Sequence, residues 1–108
     1  MGLLDDFKLE GKVAVVTGSG QGIGRGIAWG LADAGCDVVI NARREKDLEE
    51  TARGIEERGK NTLIYAADIR DKADELADLT ISTFEKIDIW VNNVGGSDEK
   101  KTRRLVDT

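Results

Sequence analysis

The sequence predicts an α/β fold of three layers, in which a parallel sheet lies between two layers of helices. Four short runs rich in β-branched residues alternate with three longer runs of helical periodicity, and no proline or repeat interrupts the series. Such alternation implies parallel strands joined by right-handed crossovers. Because 108 residues is the usual size of one compact domain, we expect residues 1–108 to form a single domain.

The strands are predicted from short apolar runs that end at turn residues. The first run, 12–17, is rich in valine and stops at Gly18, which is typical of a strand buried on both faces. The other three strands are predicted at 37–41, 61–66 and 88–92.

The helices are predicted at 22–34, 45–58 and 71–85, and glycines at 35 and 59 should end the first two. Each helix carries an inward stripe, formed by Ile23, Ile27, Ala28 and Leu31 in the first, Leu48, Ala52 and Ile55 in the second, and Ala73, Leu76 or Ala77, Thr80 and Phe84 in the third. Gly26 weakens the first helix, so we expect the helix to pack closely on the sheet there. Trp29 is expected to cover the edge of that helix or to form a subunit contact.

The composition excludes several classes of site. The chain has no histidine, which rules out Ser-His-Asp hydrolysis and zinc sites that need imidazole, and its one cysteine, Cys36, cannot form an internal disulfide. A net charge of −5 argues against nucleic-acid binding. No apolar run approaches the ~20 residues of a membrane span, and the first ten residues lack the apolar core of a signal peptide. We therefore expect a cytoplasmic protein without a membrane or nucleic-acid partner.

A glycine-rich turn separates the first strand from the first helix. Four glycines occupy seven positions in the run Gly18, Ser19, Gly20, Gln21, Gly22, Ile23 and Gly24. Glycine allows the backbone to turn sharply and to approach a ligand closely, and the N-terminus of the following helix offers unpaired N–H groups to an anion. Since ligands of open α/β sheets bind beyond the carboxyl ends of the strands, this turn is predicted to bind the diphosphate of a nucleotide or dinucleotide.

The spacing within the turn and two further motifs resemble the short-chain dehydrogenase/reductase family. Thr17, Gly18, Gly22 and Gly24 match the pattern T-G-x-x-x-G-x-G. The pair Asp68-Ile69 follows the third strand, where the family places an acidic residue near adenine, and the run Asn92-Asn93-Val94-Gly95 is similar to the family's N-N-A-G, with valine replacing alanine. The resemblance extends from Leu9 onward. It implies a Rossmann-like fold with strand order 3-2-1-4 and without the C-terminal strands and helices.

The resemblance also implies an activity. The family transfers hydride between nicotinamide and a ketone or secondary alcohol, with a tyrosine and a lysine four residues later as its acid–base pair. Four residues after Tyr65 the sequence has Ile69, so no catalytic residue of the family is expected in this chain. We expect the cofactor-binding fragment of an oxidoreductase that is inactive alone, takes a small carbonyl or alcohol substrate and forms a homo-oligomer when complete. The alternative is a non-catalytic NADPH-binding module or a pseudoenzyme that a partner completes.

The end of the second strand predicts which dinucleotide binds. NAD-dependent relatives carry an aspartate where this chain has Ala42, and Arg43 and Arg44 follow. A guanidinium near this position accommodates the 2′-phosphate of NADP. The sequence therefore favours NADP(H), with Arg43 as the main contact and Arg44 as its rival. NAD(H) stays possible, because some NADP-dependent relatives have a basic residue where this chain has Gln21.

Overall fold

A computed structural model describes residues 9–93, in which strands and helices alternate as the sequence predicts. The elements are β1 Val13–Val16, α1 Gly22–Asp33, β2 Asp37–Ala42, α2 Glu45–Glu57, β3 Thr62–Ala66, α3 Ala73–Phe84 and β4 Ile89–Val91. The strands are parallel and lie in the order β3-β2-β1-β4. This confirms the predicted fold class and strand order. No helix within residues 9–93 is long and apolar enough to cross a membrane.

The two faces of the sheet pack against different helices. On one face, strand residues such as Val16 and Ile40 pack against Ala28 of α1 and against Leu48 and Ile55 of α2. The second face carries a smaller cluster, which consists of Val15, Val39, Ile69 and Leu76 with partly buried Leu63, Tyr65, Phe84, Ile87 and Trp90. In the described part of the chain, α1 and α2 therefore cover one face and α3 covers the other.

The third helix begins later than predicted. A 3₁₀ turn, Ile69–Asp71, takes up its predicted start, and the Asp68 carboxylate caps this turn by accepting from the Arg70 amide at 3.1 Å. Leu76 and Thr80 are buried, as predicted for the inward stripe, whereas Ala73 is exposed and its predicted place on that stripe is wrong. The sequence did not predict this turn, because three residues are too few to show the repeating apolar pattern of a helix.

Trp29 fills the contact between α1 and α2. Its indole N–H donates to the Thr51 carbonyl at 3.0 Å, and its ring occupies the space that a Cβ atom at Gly54 would need. The expectation of close packing at Gly26 is wrong, since Gly26 is exposed and a Cβ there would meet nothing within 4 Å. The glycine that close helix packing requires is therefore Gly54 in α2.

Candidate functional site

The glycine-rich turn lies at the carboxyl edge of the sheet, between β1 and the N-terminus of α1. A cleft of about 270 Å³ opens beside it, lined by Gly18, Gly20, Gln21, Ala42, Arg43, Arg44 and Asp47. One wall of this cleft is therefore the turn itself, and the other wall consists of the end of β2 and the first turn of α2. The structure brings together the two segments that the sequence assigned to the diphosphate and to the 2′-phosphate.

The backbone amides from Gly20 to Gly24 have no hydrogen-bond partner among residues 9–93. They are the first donors of α1, and the residue before the helix, Gln21, supplies no side-chain cap. A helix N-terminus with unpaired N–H groups carries a partial positive charge and attracts anions. The start of α1 therefore offers a favourable electrostatic environment to a negatively charged group.

Two glycines hold this turn against the end of β4. Gly18 adopts a φ of +64°, and a Cβ there would collide with the Asn93 carbonyl oxygen. A Cβ on Gly24 would collide with the Gly18 carbonyl oxygen and lie 2.7 Å from Asn93 Nδ2. Any side chain at either position would therefore force the turn away from the sheet.

Hydrogen bonds join the same turn to the asparagine pair after β4. Asn93 Nδ2 donates to the Gly18 carbonyl at 3.1 Å, and the Asn93 amide donates to Thr17 Oγ1 at 2.9 Å. The Thr17 hydroxyl in turn donates to Asn92 Oδ1 at 3.0 Å. Asn92 and Asn93 therefore lie beside the glycine turn, while Val94 and Gly95, the other predicted residues of this motif, lie outside the described residues.

Ser19 is fully buried and faces away from the cleft. Its hydroxyl donates to the Val16 carbonyl at 2.9 Å and accepts from the Asn41 amide at 3.0 Å, and its own amide donates to the Asn41 carbonyl at 2.8 Å. These bonds tie the turn to the end of β2. The side chain of Ser19 consequently positions the turn, and a direct cofactor contact of Ser19 stays a prediction.

Asp47, in the first turn of α2, narrows the cleft and was not predicted from the sequence. A Cβ on Gly20 would lie 2.9 Å from Asp47 Cβ and 3.1 Å from Ala42 Cβ, so this glycine permits the two walls to approach. Gln21 Nε2 donates to Asp47 Oδ2 at 3.3 Å across the opening. Ile23, at the start of α1, is 76% exposed, so its predicted place on the inward stripe of this helix is wrong.

Asp68 and Ile69 follow β3. Both Asp68 carboxylate oxygens accept from the Arg70 guanidinium, Oδ1 at 3.0 Å and Oδ2 at 2.6 Å. The pKa of Asp68 is lowered to about 2, first by this side-chain hydrogen bond and the Arg70 amide and to a smaller extent by the charge of Arg43. Asp68 is therefore ionised at neutral pH and interacts electrostatically with Arg43, which lines the cleft. Ile69 is buried in the core cluster on the second face of the sheet.

The profile of the short chain dehydrogenase family matches residues 12–108, and the chain belongs to this family. The chain is 46% identical over 96 residues to the 2-dehydro-3-deoxy-D-gluconate 5-dehydrogenase of Escherichia coli, covering 86% of this chain and 37% of that protein. L-Sorbose reductase of Gluconobacter frateurii, solved with NADPH and L-sorbose, is 41% identical with a TM-score of 0.78 over 83% of this chain and 35% of that one.

A more distant structure, carveol dehydrogenase of Mycobacterium avium in complex with NAD, is 26% identical and has a TM-score of 0.76. It covers 82% of this chain, which corresponds to 37% of that structure. The chain thus spans little more than a third of the length of the relatives that it matches.

Replacement of Gly24 by alanine tests the close approach at the turn. We expect Gly24→Ala to lower the free energy of unfolding by about 3 kcal/mol, because the added methyl meets backbone atoms that cannot move aside without displacing the turn. Gly26→Ala, two residues further along α1, is the matched control and should raise stability by about 0.5–1 kcal/mol, since the methyl there meets nothing. Urea denaturation measures both. Equal stabilities of the two variants would contradict the geometry.

Removal of the Arg70 side chain tests the state of Asp68. In Arg70→Gln the Asp68 pKa, followed by carboxyl-carbon NMR, should rise from about 2 toward the ordinary value of about 3.9. Since the folded-state pKa is the lower one, the pair contributes stability above about pH 4 that is lost as pH falls toward 2, and this contribution is small because both groups are exposed. Lys72→Gln, which removes a nearby cation paired with Glu75, should leave the Asp68 pKa in place. An unchanged Asp68 pKa in Arg70→Gln would show that Arg70 is not the cause of the low pKa.

Proposed function

We propose that residues 1–108 form the NADP(H)-binding part of a short-chain dehydrogenase/reductase that interconverts a ketone and a secondary alcohol. The observation that carries this proposal is that the turn whose amides, from Gly20 to Gly24, are unpaired lines one cleft, through Gly20 and Gln21, together with Arg43 and Arg44. The nicotinamide of a bound dinucleotide would supply the chemistry, by accepting or donating a hydride.

Each wall of the cleft is assigned one part of the dinucleotide. The amides of residues 20–24 would donate to the diphosphate, with the partial charge of the α1 N-terminus adding to the attraction. Arg43 and Arg44, on the opposite wall, would hold the 2′-phosphate. Asp68, ionised and fixed by Arg70, would accept from the adenine amino group.

NADP(H) is preferred to NAD(H) because of the charges at the end of β2. Ala42 offers no carboxylate to a ribose 2′-OH, and a guanidinium binds phosphate strongly because it is always charged and can form two parallel hydrogen bonds. Similar proteins have been solved with NADPH and with NAD, so the comparisons support a nicotinamide dinucleotide and the preference rests on these charges. One observation favours NAD(H) as the second candidate: the Asp47 carboxylate lines the same cleft and would repel a phosphate.

The substrate is proposed only by class, a small carbonyl or alcohol compound. Two of the similar proteins are named for polyhydroxylated substrates, 2-dehydro-3-deoxy-D-gluconate and L-sorbose. Tyr65 is unsuited to act as the acid–base group because it lies in β3 and its pKa is raised, by loss of hydration and by a hydrogen bond with Glu75. We therefore expect this chain to bind the dinucleotide without turning over a substrate. A complete protein is expected to form a homo-oligomer.

Charge reversal at Arg43 tests the cofactor preference. We expect Arg43→Asp to weaken NADPH binding about 10- to 100-fold, because it removes charge-assisted hydrogen bonds to the 2′-phosphate and adds a repelling carboxylate, while NADH binding changes little. Isothermal titration of the chain with both dinucleotides measures the two affinities. Arg53→Asp is the matched control, since Arg53 is exposed on α2 outside the cleft.

Three outcomes of this titration separate the possibilities. If the unaltered chain binds neither dinucleotide, the proposed function fails. If it binds NADH more tightly than NADPH, NAD(H) replaces NADP(H) as the proposed cofactor. If Arg43→Asp and Arg53→Asp weaken NADPH equally, the effect is one of overall charge and the assignment of Arg43 is wrong.

A further inference from the structure

Arg25, in α1, forms hydrogen bonds with both walls of the cleft. The same guanidinium nitrogen, Nη2, donates to the Gly20 carbonyl on one wall and, at 3.1 Å, to the Asp47 carbonyl on the other. Its Nε donates to Thr51 Oγ1 at 2.9 Å, and its Nη1 lies 3.6 Å from a Glu50 carboxylate oxygen. The side chain is 19% exposed, so these bonds are largely protected from water.

Thr51 extends this connection to the glycine turn. The residue is fully buried, and its hydroxyl donates to the Ser19 carbonyl at 2.9 Å while accepting from Arg25. Two consecutive carbonyls of the turn, those of Ser19 and Gly20, are therefore held by side chains that are anchored on α2 and α1. The Gln21 side chain also joins the turn to α2, through Asp47 at 3.3 Å, but that bond is exposed whereas the Thr51 hydroxyl is buried and Arg25 is largely so.

The packing of α1 on α2 has further contacts besides these bonds. Trp29 and Gly54 join the two helices farther from the cleft, and Arg58 adds bonds to Asp33 at 3.0 Å and to the Gly54 carbonyl at 2.8 Å. The buried core between the helices and the sheet, with Ala28 and Ile55, is also separate from them. The Arg25 bonds are concentrated at the end of the helix pair where the cleft opens.

We propose that Arg25 and Thr51 form a clamp that fixes the separation of the cleft walls and so determines the preference for NADPH over NADH. This rests on the proposed function. The 2′-phosphate would touch the arginine wall while the diphosphate is held by the turn, so NADPH binding needs both walls at a fixed separation. NADH has no such phosphate and depends mainly on the turn. Arg25 and Thr51 are thus positioning residues for cofactor selectivity.

The test titrates variants of the chain with NADPH and with NADH. Arg25→Met keeps the aliphatic stem and removes every donor, and it should weaken NADPH roughly tenfold and NADH less than about threefold. Thr51→Val should act in the same direction, and Thr51→Ser, which restores the hydroxyl, should recover the original ratio of affinities. Arg25→Lys should not recover it, because one ammonium group cannot reproduce a planar fork that reaches several acceptors.

Arg58→Met is the matched control. Both arginines lie over the Trp29 ring, Arg25 at 5.7 Å and Arg58 at 5.1 Å from the ring centroid. Arg58 also forms hydrogen bonds between the same two helices, but none of them reaches a residue that lines the cleft. We expect its loss to leave the ratio of NADPH to NADH affinity unchanged. A similar change of ratio in both variants would overturn the clamp and assign the effect to helix packing.

Amide hydrogen exchange without cofactor supplies a readout that does not require binding. The clamp predicts faster exchange in Arg25→Met at the hydrogen-bonded amides of Ser19 and Asp47, which flank the cleft, with the strands unchanged. A uniform rise along the chain would indicate general destabilisation and overturn the proposal, as would unchanged exchange and unchanged affinities. If the unaltered chain binds neither dinucleotide, the proposed function fails, and the exchange pattern still decides whether the clamp exists. A double variant, Arg25→Met with Thr51→Val, should lose no more selectivity than either single variant.

Discussion

The turn after β1 is fixed by steric exclusion at Gly18 and Gly24, where backbone atoms occupy the space of a side chain. The Asn93 carbonyl and amide lie against one side of the turn, and the Thr17 hydroxyl joins that asparagine to β1. On the other side, Gly20 allows Asp47 and Ala42 to approach. Segments that are far apart in sequence, β4 and α2, therefore meet at this turn and together define its shape.

The chemical property that this site offers is a set of unpaired amide donors beside the tightly packed turn. The amides of residues 20–24 have no partner at the start of α1, as is usual for the first amides of a helix. Gly20 and Gly24 are buried whereas Gln21, Gly22 and Ile23 are exposed, so the start of the helix is open to an anionic ligand. Arg43 and Arg44 add charge at the same opening, and the Arg25 and Thr51 bonds keep that opening at one width.

The sequence predicted the parts of this arrangement that follow from local pattern. Valine-rich runs and glycine stops located the strands and the first two helices, because burial and turns leave a signal in neighbouring residues. Contacts between segments that are distant in sequence leave no such signal. They include Gly54 against Trp29, Asp47 against Gly20 and Thr51 against the glycine turn, which become neighbours only when α2 packs on α1 and the sheet. Arg25 is the exception, since its spacing of four residues from Trp29 on one helix could have suggested the observed stacking.

The proposed site for a diphosphate is formed by the amides of residues 20–24. Its most direct test is a titration of the ¹⁵N-labelled chain with ADP and, separately, with adenosine, followed by amide NMR. We expect ADP to shift the resonances of residues 20–24 downfield, as new hydrogen bonds to phosphate oxygens do, and adenosine to leave them in place. Shifts confined to other segments, or equal shifts with both ligands, would contradict it.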